Sequence, residues 1–200
     1  MFIMKRLLLI LILTFNFQSL TKADDIRDFQ IEGMSIGDSL VDYLDKEKIN
    51  KKIIKQDYKS DKFKAIFLTS SHRLVNFYDA LYIDFKKNDK KFIIHSFAGI
   101  KSYENIPIKK CLNKKKEVVD ELKILFSNII MQDDIHSHPQ DKTGKSKVYR
   151  TSFGIQKNSD WLPIEVSCYD WSKKMSYDDH LRINIKSDEY NDWLRDEAYK

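Results

Sequence analysis

The sequence predicts an α+β fold: antiparallel β-sheet with helices packed on one face, laid out as up to two strand–strand–strand–helix units. Three observations carry this. Two blocks of strand-like alternation lie at residues 63–97 and 149–185. An amphipathic helical stretch separates them, and a second helix follows the last strand. Runs of strands with segregated helices favour antiparallel α+β architecture over a parallel α/β fold.

The elements follow in order. Phe29–Glu32 reads as a short extended entry. Asp38 is placed to cap a helix carrying Leu40, Val41 and Leu44, and Asp45 a second with Ile49, Ile53 and Ile54 at helical spacing. Phe63–Leu68 is the first strand. Leu81, Ile83 and Phe85 alternate with Tyr82 and Asp84 in the next; the polar turn Lys86–Lys90 leads back into Phe92–Phe97, a hairpin pattern. Asn113 is read as the cap of a helix with Val118, Val119, Leu122, Leu125, Phe126 and Ile129 on one face. Asp133–Lys147 is polar and loop-like, a candidate subdomain break near 133–147. Strands follow at Tyr149–Ile155, Ile164–Cys168 and Leu181–Ile185, and Ser187 caps a final helix with Tyr190, Trp193 and Leu194 on its apolar side. Clean alternation in the last strand means one sheet face is buried and the other wet.

Residues 1–23 have the order of a removable signal peptide: Lys5 and Arg6, an unbroken Leu7–Leu13 run, then Thr21-Lys22-Ala23 before Asp24. That run is about half the ~20 apolar residues a membrane span needs, so a 24–200 α+β domain without a span is expected in the periplasm or outside the cell. Removing 1–23 takes away three bases and no acid, leaving 32 bases against 30 acids. Near-balance argues against a nucleic-acid binder, which concentrates basic charge. Five glycines make Gly-rich cofactor folds improbable, and no cofactor is expected. An exported chain with two cysteines points to a Cys111–Cys168 disulfide; closing a span of 57 residues would contribute ~4 kcal/mol. Two buried thiols are the alternative.

Four features bear on chemistry. Gly37-Asp38-Ser39-Leu40 spells the nucleophile block of GDSL esterases, in which Ser39 would be the nucleophile. Its context differs: the preceding Ile31–Ser35 is short and polar, and Tyr177 stands three residues before His180 where an Asp belongs. A helix N-terminus accounts for the block better. His136-Ser137-His138-Pro139 resembles the core of JAMM-type zinc proteases, and two His at strand spacing can hold one metal. Lys147 and Arg150 occupy the positions where that family has its Ser and Asp, so a third ligand is missing. Trp161, Tyr169 and Trp171, with Tyr177 and the acids Asp160, Asp170, Asp178 and Asp179, form an aromatic stretch suited to stacking on sugars or a protein partner; packing in a core is the alternative. Lysine runs at 46–55, 86–91 and 109–116 can hold phosphates or an anionic surface, although a solvated face explains them as well.

The opening Asp28–Leu40 with Asp42-Tyr43, and the later Tyr82–Phe85 and Lys91–Ser96, resemble a group of small exported proteins from AT-rich marine alphaproteobacteria (Pelagibacter-like). The likeness covers about the first two-thirds of the chain after residue 23. It implies export and assigns no chemistry. A looser likeness of layout, two helices before an antiparallel sheet, is to BamE-type envelope modules. The expectation is an exported, non-catalytic binding or envelope-interaction module with no catalytic residue assigned, contacting an envelope protein or a small ligand. The alternative is a hydrolase using Ser39 or a metal at His136 and His138.

Overall fold

A computed structural model describes residues 29–125, 129–155 and 164–200. The predicted leader, Phe126 and Trp161 lie outside the described residues. The described residues form an α+β fold with one eight-stranded antiparallel sheet. Its strands are β1 (Ile53–Ile54), β2 (Phe63–Thr69), β3 (Ala80–Lys86), β4 (Ile94–Ser102), β5 (Ile129–Ser137), β6 (Lys147–Ile155), β7 (Ile164–Asp170) and β8 (His180–Lys186). The helices are α1 (Lys46–Lys51), α2 (Ile108–Leu125) and α3 (Asp188–Asp196).

The strand order β1-β2-β3-β4-β8-β7-β6-β5 reads the same from either end when β1–β4 are matched to β5–β8. Each half is a meander followed by a helix, and the halves join through β4 and β8. The repeated unit therefore has four strands rather than the three read from sequence.

The alternation places Ile66, Leu68, Leu81, Ile83, Phe97, Val166, Cys168, Leu181 and Ile183 in one core on a single face. Helix α2 covers it with Cys111, Val119 and Leu122. Cys111 is disulfide-bonded to Cys168, with Cα atoms 6.0 Å apart, so α2 is tied to β7. The entry segment adds Ile31, Met34, Ile36 and Leu40 to this core. A tight turn at Glu32-Gly33, both with positive φ, brings Ile31 against Met34, and glycine adopts that backbone without strain. A second cluster lies on the opposite face, where Tyr190 and Trp193 of α3 close over Phe63 of β2. Ser187 caps α3 as expected, accepting from Tyr190 N at 3.2 Å.

Four local expectations are corrected. Asp38 starts only a 3-10 turn over Leu40–Asp42; its carboxylate accepts from Ser35 N and the Tyr43 hydroxyl. The helix after Asp45 stops at Lys51, because Ile53 and Ile54 pair with Ile66 and Ala65 as β1. Helix α2 begins five residues before Asn113, just after Pro107, whose fixed φ suits a helix start. Asp133–Ser137, read as loop, is the end of β5. Its polar residues face cross-strand partners on β6, so the apolar alternation that marks a strand is missing there.

Candidate functional site

Strand alternation puts a second set of side chains on the face away from α2. Register aligns Asp134, Arg150, Ser167 and Arg182 across β5, β6, β7 and β8. At even spacings along the same strands, this face carries His136, Glu165, Tyr169, His180, Asn184 and Lys186; β3 and β4 add Tyr82, Asp84 and Ser96.

The charged members form a ladder. His136 Nδ1 is 2.6 Å from Asp134 Oδ2, and Arg150 Nε donates to Asp134 Oδ1 at 2.7 Å. Arg150 Nη1 lies 3.5 Å from Glu165 Oε1, and Lys186 Nζ donates to Glu165 Oε2 at 2.8 Å. Burial pushes the Glu165 carboxyl up, but Lys186, Arg150 and Arg182 together outweigh burial and hold it below its ordinary range. Asp134 is held down against burial by its bonds to Arg150 and His136.

Asp84 behaves the opposite way. It is 1% exposed. Burial pushes its pKa up to about 7, with Arg182 the largest opposing influence. Gln56 Nε2 donates to Asp84 Oδ1 at 3.0 Å and lies 3.1 Å from the Tyr82 hydroxyl. The Arg182 guanidinium lies over the Tyr82 ring, 5.5 Å from its centroid. Among the described residues, Arg182 Nε, Asn184 Oδ1 and Trp171 Nε1 are buried polar atoms without a hydrogen-bond partner. Asn184 itself is only 9% exposed.

One end of this face is aromatic. Tyr169 stacks on His180 (4.5 Å, 13°) and lies near-parallel to Trp171 (6.0 Å, 18°). His138 packs on Trp171 at 4.3 Å, and Tyr177, 56% exposed, also meets Trp171, at 4.7 Å. Burial first, then the neighbouring His136, lowers the His138 pKa. Burial likewise lowers His180, whose Nδ1 donates to the Asp178 carbonyl at 2.8 Å.

A buried carboxylate anchors the strip. Asp141 accepts from Thr143 N and Oγ1, Ser146 N and Oγ, and Ser172 Oγ, at 2.6–2.9 Å. The hydroxyls of Thr143 and Ser146 hold it well below the carboxylate range. It pins the β5–β6 loop to the residue after Trp171, while Trp171 N donates to Asp179 at 2.6 Å.

Of the residues singled out from sequence, the structure brings Tyr169, Trp171, His136 and His138 to this face. His136 is bound to Asp134 and His138 lies on Trp171. No group of three or more His, Cys, Asp or Glu arranged to hold a metal occurs among the described residues. Ser39 is elsewhere: its hydroxyl donates to the Lys91 carbonyl at 2.6 Å, and residues 37–40 pair with 92–94 at the start of β4.

Sequence reading missed Arg150, Glu165, Asn184 and Lys186. The available signal was polar identity at alternate strand positions, which marks a wet face without saying that its members bond one another. Asp141, which flanks the His136/His138 pair in sequence together with Asp133 and Asp134, is committed instead to hydrogen bonds within the loop and to Ser172. Asp-x-Thr-Gly-x-Ser is an Asx-turn pattern that could have drawn attention to that role.

No family model, curated protein or solved structure matches the chain.

Proposed function

We propose that this is an exported, non-catalytic binding module that holds a glycan on the sheet face away from α2. The observation that supports this most is the near-parallel strip of His180, Tyr169 and Trp171 running into the charged ladder. Flat rings accept the C–H faces of a sugar, while fixed polar groups beside them bond its hydroxyls and amides. His136, Arg150 and Glu165 of the ladder are only partly buried and offer donors and acceptors on the same face. The ring atoms need no charge for this role, and burial keeps His138 and His180 toward their neutral forms. Export is supported by the leader pattern and by the Cys111–Cys168 pairing, which suits an oxidising compartment. No helix among the described residues is long and apolar enough to cross a membrane.

The test is titration calorimetry with oligomers of N-acetylhexosamines and of neutral hexoses, on the wild type and Trp171→Ala. Binding that Trp171→Ala removes, with near-UV circular dichroism retained and the oligomers recovered uncut, supports the reading. No binding to either panel, or binding that survives Trp171→Ala, sinks it. Cleaved oligomers, with cleavage lost in Ser39→Ala, would put the hydrolase reading in its place.

A further inference from the structure

Two lysine runs far apart in sequence meet in space. A cavity of about 480 Å³ opens at the β3–β4 turn and is lined by Lys46 of α1, Lys64 of β2, Lys86 at the end of β3, and Lys87 and Lys90 of the turn. That volume is within the range of small-molecule sites, roughly 300–1,000 Å³.

Its charge is not cancelled. Lys86 pairs with Glu189 at 2.7 Å, and Lys87 and Lys64 share Asp61. Lys46 and Lys90 have no ion-pair partner among the described residues. Asp89, the acid in the lining, is committed to the Lys91 and Ile93 amides at 2.9 and 2.8 Å. Lys86 turns its ammonium to Glu189 of α3 on the other face; the remaining four ammonium groups against Asp61 and Asp89 leave an excess of two positive charges around one concavity.

The cavity is also apolar on one side. Phe85 and Phe92 meet edge to face there, 5.1 Å between centroids, beside the partly exposed Ile53. Phe92 has φ 52°, a left-handed conformation that a bulky residue adopts only under constraint. The backbone is thus held in an unfavourable state that keeps this ring in the wall.

We propose that this cavity binds a phosphate ester carrying a flat apolar group. The phosphate sits among Lys46, Lys64, Lys87 and Lys90, and the apolar group lies against Phe85 and Phe92. A dianion matches the two excess charges, and lysine binds phosphate as a point charge without needing a planar fork. The inference is independent of the glycan reading, which concerns other residues.

The experiment uses phenyl phosphate, inorganic phosphate and vesicles of phosphatidylglycerol in phosphatidylcholine, all at low ionic strength. The variants are Lys46→Glu/Lys90→Glu and a control of equal charge change, Lys109→Glu/Lys110→Glu on the exposed side of α2. Both pairs are exposed, and neither cavity lysine makes an ion pair, so folding is expected to be retained. Phenyl phosphate is expected to bind more tightly than inorganic phosphate. The cavity variant is expected to weaken phenyl phosphate binding at least about tenfold, and the control to leave it unchanged. If phenyl phosphate does not bind but phosphatidylglycerol vesicles capture the protein, with the same dependence on Lys46 and Lys90, the lysines hold a phosphodiester headgroup and the flat ester is overturned. Binding of neither probe, or equal weakening by both double variants, overturns the site. Inorganic phosphate binding as well as phenyl phosphate overturns the role given to Phe85 and Phe92.

Discussion

Replacing Asp84 with asparagine should make the protein more stable above neutral pH, although the substitution removes a charge facing Arg182. In the folded state burial raises the Asp84 pKa from 3.8 to about 7. A carboxyl raised in this way contributes stability that is fully present below pH 3.8 and is lost as pH rises through about 7. At ~1.4 kcal/mol for each pH unit, ionising the buried group costs ~4 kcal/mol overall, and ~3 kcal/mol of that falls between pH 5 and 8. Asparagine has nearly the same shape and never ionises. Its carbonyl can still accept from Gln56 Nε2, which now donates to Asp84 Oδ1 at 3.0 Å. Its amide cannot accept, so ~1 kcal/mol of hydrogen bonding is lost at every pH. Asp84→Asn is therefore about as stable as wild type at pH 5 and ~3 kcal/mol more stable at pH 8. The assay is urea unfolding followed by circular dichroism at half-unit steps from pH 5 to 8 and constant ionic strength. With an m-value of ~2 kcal/mol/M, the midpoint difference between the two proteins should change by ~1.5 M across the range. The difference is the quantity to read, because His95, His138 and His180 titrate in both proteins and cancel. A flat difference would show that burial does not dominate at Asp84. A difference of the opposite sign would show that its attraction to Arg182 outweighs the burial cost.

Further outcomes follow from other contacts. Cys111→Ser/Cys168→Ser removes a link closing 57 residues and should cost ~4 kcal/mol, read as a fall of ~2 M in urea midpoint. Gly99→Ala should lower stability by ~1–3 kcal/mol, because a Cβ there would lie 2.5 Å from the Tyr78 ring; added to Tyr78→Ala, the same change should cost far less, a non-additivity that a thermal-melt cycle measures. His180 has a folded pKa below 6.5, so its contribution is present above that value and is lost as pH falls through it; His180→Gln should flatten the acid limb of the stability profile.

The helix-facing half of the protein was readable because burial there is enforced by alternation. Leu181, Ile183 and Ile185 lie on the core face, and so do Ile164, Val166 and Cys168, as their spacing requires. The long helix was readable in its apolar stripe but not in its start, since Pro107 marks the first turn more firmly than Asn113 does. Helices after Asp38 and Asp45 were over-read. Capping residues permit a helix, but Ile53 and Ile54 gain more by pairing with β2. The candidate site was legible only at Tyr169, Trp171 and the His136/His138 pair. What those residues meet depends on which strands are neighbours, and β8 lies between β4 and β7 for a topological reason that local sequence does not carry. The same holds for the lysine cavity, whose lining spans residues 46–92 on four elements and the turn that follows one of them.

The position of the polar face follows from the doubled layout. Joining two meanders through β4 and β8 makes one broad sheet, and α2 covers one of its faces. Helix α3 closes over the first-meander side of the other face, around Phe63 on β2 and alongside β4, and its Tyr190 bonds Asp84 at the seam. The strands of the second meander therefore carry their polar ladder and aromatic strip on the part of that face that neither helix occupies. The seam between the halves is where Asp84 and Ser96 from the first meet Arg182, Asn184 and Lys186 from the second. Burying that many polar groups at the centre of a sheet costs stability, as the raised Asp84 pKa and the unpartnered Asn184 Oδ1 both register. An apolar seam would be more stable, and β2, β3, β7 and β8 supply such residues freely to the opposite face. Placing charge where the same alternation could have placed leucine is therefore a cost in stability that the seam carries, and neither half alone contains the residues that make it.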